Sequence, residues 1–172
     1  MPPPIQKRVR LHLKVLAEPV TFPLGHMIEA MREVYEAKGI GVEVASEERL
    51  TLPQLEDLAV GSCVAGSLTT EQRRLFDHRD QAGDNDVCVY LVRSTVPAVN
   101  GCAAHPPGRP SVVVASRATL WTLAHEVGHV LGLPHVNPTD RLMTIRTSEI
   151  TNPPPDLLPV EVKRMLGSPF TQ

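Results

Sequence analysis

Residues 125–135 read His-Glu-Val-Gly-His-Val-Leu-Gly-Leu-Pro-His, and no other stretch gathers so many side chains able to do chemistry. On a helix, four steps of about 100° bring His129 to within roughly 40° of His125, one turn along the same face. Two imidazoles so placed can reach one metal ion. Zinc accepts imidazole nitrogen at about 2.0–2.1 Å and prefers four tetrahedral ligands, so a catalytic site needs a third protein ligand and one open position. His135 is the candidate for that third ligand. Gly132 allows the sharp turn through positive φ that would bring it back, and Pro134 keeps the helix from resuming. Glu126 falls beside the ion without displacing a histidine, where a general base can take a proton from zinc-bound water. Leu120, Leu123, Val127, Val130 and Leu131 lie on the opposite face, so the same helix has an apolar stripe to bury.

The elements that must hold this segment show in the hydrophobic periodicity. Val9, Leu11, Leu13 and Val15 alternate with Arg8, Arg10, His12 and Lys14, the period of a strand with one buried face. Leu24, Met27, Ile28, Met31, Val34 and Tyr35 recur at helical steps and predict an amphipathic helix, with Lys38 and Gly39 at its C-terminal end. A short strand at Val42 to Ala45 comes next, then a polar, weakly periodic stretch through about Asp86. The apolar run Val87 to Val92 suits a strand buried on both faces. Gly101 to His105 and Val112 to Val114 read as two strands joined by the turn at Pro106 to Pro110. A helix is predicted from about Ala118 to Leu131, capped by Ser116, and a short one from Val160 to Leu166, ended by Gly167. This order predicts an α+β fold, a mixed sheet with helices packed on it.

The 125–135 pattern resembles the signature of the metzincin clan of zinc peptidases, which has two histidines, a glutamate, a glycine and a third histidine at this spacing. The clan also carries a methionine turn beneath the metal, and Met143, in Arg141-Leu142-Met143-Thr144, is its counterpart by this resemblance. The resemblance implies a zincin-like fold: a twisted mixed sheet of about five strands, an active-site helix and a small C-terminal subdomain. One catalytic domain over 1–172 would then divide into subdomains of about 1–132 and 133–172. It implies a zinc-dependent endopeptidase, with Zn2+ on His125, His129 and His135 and Glu126 as the catalytic base. The strand at Gly101 to His105 would be the antiparallel edge where a peptide substrate adds itself, placing Ala104 and His105 near substrate. Some members carry a tyrosine soon after the methionine. Here Thr144, Ile145 and Arg146 follow, so no tyrosine ligand is expected, and Val136 after the third histidine identifies no subfamily. A zinc-holding module that does not cleave, and a hydrolase of non-peptide amides, are the alternatives.

Composition narrows the partners. With 172 residues, 42% apolar and 21% charged, the chain suits one globular domain. A formal charge of -2, without a Lys/Arg block, speaks against nucleic acid. A peptide or protein substrate, no membrane partner and a monomer are expected. The start, Met-Pro-Pro-Pro, lacks a secretory signal's apolar core, so cytoplasmic residence is the default, and a secreted form that has lost its signal the alternative. Cys63, Cys88 and Cys102 are an odd set without metal spacing and read as buried reduced thiols, with one disulfide plus a spare thiol as the other option. His12, His26 and His78 read as ordinary surface or hydrogen-bonded histidines, Arg73 and Arg74 as a solvated helix face, and Asp84 and Asp86 as a turn.

Overall fold

A computed structural model describes residues 3–151 and 153–172. The reading of the first four residues falls partly outside that range, and Asn152 lies outside it too. In chain order the elements are β1 (Lys7–Val15), α1 (Leu24–Glu36), β2 (Ile40–Arg49), β3 (Asp57–Ala59), α2 (Thr70–Phe76), β4 (Val87–Val92), β5 (Ser94–Val96), β6 (Gly101–Cys102), β7 (Ser111–Ala115), α3 (Thr122–Val130) and α4 (Pro159–Leu166). Five strands form a mixed sheet in the order β2-β1-β4-β7-β6, parallel except for the edge strand β6, which runs antiparallel to β7. β3 and β5 form a separate parallel pair. The expected five-stranded mixed sheet with helices is therefore present.

β4 explains why its sequence is apolar without alternation. Val87, Val89 and Leu91 join the cluster under α1 and α3, whereas Cys88, Tyr90 and Val92 join a second cluster with Leu75 and Phe76 of α2. Both faces are covered, and each buried aliphatic side chain of this kind stabilises by about 1.5–3 kcal/mol. β1 departs from its predicted pattern. Val9, Leu11, Leu13 and Val15 do face the helices, but His12 and Lys14 on the other side are buried rather than solvated. Partners make this possible. The two ring nitrogens of His12 lie 2.8 Å from Asp86 Oδ2 and 2.6 Å from Ser46 Oγ, and Lys14 Nζ donates to Glu48 at 2.7 Å and to the Asp80 carbonyl at 2.9 Å.

Several boundaries also differ. β2 runs further than Val42 to Ala45, and β6 keeps only the first two residues of the predicted edge strand. α3 starts at Thr122 rather than near Ala118, because the Thr119 N–H donates to Thr122 Oγ1 at 3.0 Å in a preceding turn. Ser116 does not cap it. Its hydroxyl donates to the Arg93 carbonyl at 2.7 Å. The cysteines correct the reduced-thiol reading: Cys63 and Cys102 are disulfide-bonded because the loop after β3 crosses to the edge strand, and Cys88 is the buried spare. Among the described residues, no helix is long and apolar enough to cross a membrane.

Candidate active site

α3 carries His125 and His129 one turn apart, and a glycine turn supplies the third imidazole. The helix ends where Gly132 takes φ +101°, with the Gly132 N–H donating to His129 O and the Leu133 N–H to Gly128 O, both at 3.0 Å. These paired bonds are the Schellman closure, which reverses the chain and aims His135 back along the helix. His135 Nε2 lies 3.3 Å from His125 Nε2 and 3.1 Å from His129 Nε2. The remaining ring nitrogens of the two helical histidines are occupied. His125 Nδ1 sits 2.8 Å from the Leu142 carbonyl, and His129 Nδ1 sits 2.7 Å from the Leu133 carbonyl. A carbonyl can only accept, so each Nδ1 carries the proton and each Nε2 presents its lone pair to the centre.

This arrangement is the test of fit for a metal. The Nε2 lone pairs of His125 and His129 both face His135 Nε2, a spacing that a shared cation satisfies. Tetrahedral ligands at about 2.0–2.1 Å from zinc are about 3.3 Å apart, close to the spacings found. Among the described residues, His125, His129 and His135 are the cluster able to share an ion. Burial, opposed by the Leu142 carbonyl, lowers the His125 pKa to about 4, and burial lowers that of His129 as well. Both rings are therefore neutral at physiological pH, as ligands must be.

Glu126 is buried at the head of the cleft; burial by itself pushes its carboxyl up to about 8, and the positive charge of an ion on the imidazoles would favour the ionised form that a base needs. What lets it sit there is Gly101 of β6. A Cβ on Gly101 would stand 2.7 Å from Glu126 Cγ and 2.9 Å from Thr122 Cγ2. The sequence reading missed Gly101, although glycine in an edge strand is a recognised sign of close backbone approach. Gly128 has a matching role on the other side of α3, where a Cβ would stand 2.7 Å from the Met143 sulfur. Met143 is fully buried beneath the helix, in a turn closed by Thr144 N–H to Arg141 O at 3.2 Å and fastened by Val136 N–H to Met143 O at 2.9 Å. The carbonyl that orients His125 belongs to Leu142 of this same turn.

Two cavities open onto the imidazoles. One, of about 430 Å³, has Ser62, Ala65 and Ala104 around Glu126, His129 and His135. The other, of about 500 Å³, brings Asn100, Thr122, Arg146 and Thr147 to His125 and Glu126. A larger cavity of about 710 Å³ lies against the outer side of α1, near Phe22, Glu33 and Leu120, and includes none of the three imidazoles. Ala104 thus lines the cleft. His105 is not in its lining: its Nδ1 lies 2.9 Å from the Pro106 carbonyl, and its ring meets Phe170 edge-on at 6.1 Å.

No protein-family model matches the sequence, and no curated protein sequence does. Among solved structures, metalloproteinase-II from Bacteroides fragilis is similar with a TM-score of 0.67 at 18% identity, over 95% of this chain and 54% of that one. The chain spans about half the length of that protein. An archaemetzincin from Methanopyrus kandleri gives 0.57 at 20% identity, over 92% of this chain and 93% of that one. A zinc-dependent peptidase from Methanocorpusculum labreanum gives 0.56 at 13% identity, over 90% and 99%. Likeness at these identities is likeness of fold, and the fold is metzincin-like.

Proposed function

We propose that this chain is a zinc-dependent endopeptidase, with His125, His129 and His135 holding the ion and Glu126 acting as general base. One observation carries the reading: the Nε2 atoms of His125 and His129 converge on His135 Nε2, at 3.3 and 3.1 Å, beside a buried carboxyl and on a peptidase fold. Bound there, zinc supplies a Lewis acid that polarises a carbonyl and acidifies water. The chain supplies the rest. The Leu142 and Leu133 carbonyls keep two imidazoles in the ligating tautomer. Glu126 takes the proton of the attacking water and returns it to the leaving amine, so no covalent intermediate with the protein forms. Gly101 and Ala104, on the edge strand and just past it, offer the side against which an extended peptide lies, with His105 further along. Met143 supports the centre from below, and the two parts, 1–132 and 133–172, act as one catalytic unit.

The test is a peptide library incubated with zinc-loaded protein, with chelator, and with zinc restored, the products being read by mass spectrometry. Internal cleavage that chelator abolishes and zinc restores is the expected result. Stoichiometric zinc with no cleavage would leave a binding module, and cleavage confined to non-peptide amides would replace the substrate class.

A further inference from the structure

Among the described residues, one wall of the cleft meets the core only through Cys63 and Leu68. Between β3 and α2 the chain crosses residues 61–68 without regular structure, and Gly61, Cys63 and Gly66 stand at φ +57°, +55° and +88°. Among the described residues, the hydrogen bonds in this stretch stay local: the Cys63 N–H donates to Val60 O at 3.2 Å and the Ser67 N–H to Val64 O at 3.0 Å. Val64 is 56% exposed, so packing does not seat the tip either. The link to the sheet is covalent. Cys63 is joined to Cys102 of β6, with the two Cα atoms 5.7 Å apart, and Cys102 is buried next to Gly101, the residue that touches Glu126. Cys63 itself stands in the left-handed region that a non-glycine residue seldom adopts, and the disulfide anchors it to the sheet.

The pinned loop faces α3 across the 430 Å³ cavity, with Ser62 and Ala65 on the loop side and Ala104 on the strand side. Apart from Glu126 and the histidines, the lining is small and uncharged. So many small residues leave room for one large side chain, and beyond Glu126, which faces the reacting centre, no charged group is there to offset burying an ionised one. We propose that the Cys63–Cys102 disulfide fixes residues 61–66 as a specificity wall, which selects a bulky uncharged substrate side chain on the His129 side of the reacting centre. This deepens the peptidase reading and rests on it.

Three samples test it: the oxidised protein, the protein reduced with a phosphine, and the Cys63→Ser/Cys102→Ser variant. Amide hydrogen exchange is followed on metal-free samples, and a peptide library is run on zinc-loaded ones. Without the disulfide, exchange at 61–66 should rise by about tenfold or more while α3 is unchanged. KM for peptides with Phe or Leu at the selected position should rise about tenfold, with kcat within about twofold and equal zinc content. Ala65→Glu keeps the disulfide and changes an exposed loop residue, so it should move the preference from Phe or Leu towards Lys or Arg. Equal exchange in all three samples overturns the tether, and an unchanged preference in Ala65→Glu overturns the wall. Zinc uptake without cleavage in any sample defeats the peptidase reading and the selectivity with it, and the exchange data, which need no substrate, separate that failure from a failure of the tether.

Discussion

Replacing Glu126 with Gln removes the proposed base and leaves the three imidazoles in place, whereas His129→Ala opens the proposed ligand set. The Gln variant should retain a full equivalent of zinc and lose about 10²–10⁴ in kcat, and the Ala variant should lose both, with metal analysis and turnover read on the same samples. Turnover by Glu126→Gln equal to the parent's would remove it from the base role. Gly101→Ala tests the neighbour. A methyl 2.7 Å from Glu126 Cγ must push the carboxylate aside, so kcat should fall by about 10-fold to 100-fold with zinc content unchanged. Unaltered kcat would show that the strand yields instead. The residues proposed as ligands and base are legible in the sequence because one short segment carries them at helical spacing. Gly101 and Gly128 are not, since each matters for the distance between elements that are remote along the chain.

Among the elements, α2 bears out the solvated helix face read at Arg73 and Arg74, but its start and extent were not legible. Thr69 and Gln72 form a reciprocal capping box, with Gln72 N–H to Thr69 Oγ1 at 3.0 Å and Thr69 N–H to Gln72 Oε1 at 2.9 Å. Thr69→Ala should cost about 0.5–2 kcal/mol in urea unfolding with zinc stoichiometry unchanged, and a variant as stable as the parent would show the cap to be idle. The Thr-x-x-Gln spacing stands in the sequence, but a seven-residue helix is too short to show a period. β3 and β5, three residues each, show none either. The long elements β1, β4, α1 and α3 were legible by periodicity or by an unbroken apolar run, β4 with both of its ends and the others with at least one end displaced by one to four residues. Burial of His12 and Lys14 was hidden, because polar residues alternating with apolar ones look solvated until Asp86 and Glu48 are known to reach them. Which cysteines pair depends on where a loop without periodicity crosses the sheet.

Asp86 connects the molecule at its largest scale. It is buried, touches His12 of β1, accepts from the Gly83 N–H at 3.0 Å, and accepts from the Gln172 side chain at 2.8 Å. Burial alone would raise its pKa, but hydrogen bonds from Gln172, Gly83 and His12, with Arg10 nearby, hold it below the ordinary carboxylate range. A carboxylate whose folded pKa is lowered stabilises fully above its unfolded value of about 3.9, and this is lost as pH falls through the folded value. Asp86→Asn in metal-free protein should therefore lose about 1–3 kcal/mol at pH 7, with the gap to the parent narrowing below about pH 4. A gap constant from pH 7 to pH 3 in urea titrations would assign the loss to shape alone.

The proposed ligand triad has a consequence for unfolding. Its members fall within residues 125–135, so opening the fold does not scatter them. The denatured chain keeps a loose chelate, and an ion that binds both ends of an equilibrium shifts it by less than its native affinity would suggest. Added zinc should thus protect this protein from heat more weakly than it would one whose ligands are gathered from distant segments, and a refolding chain can start with the ion already aboard.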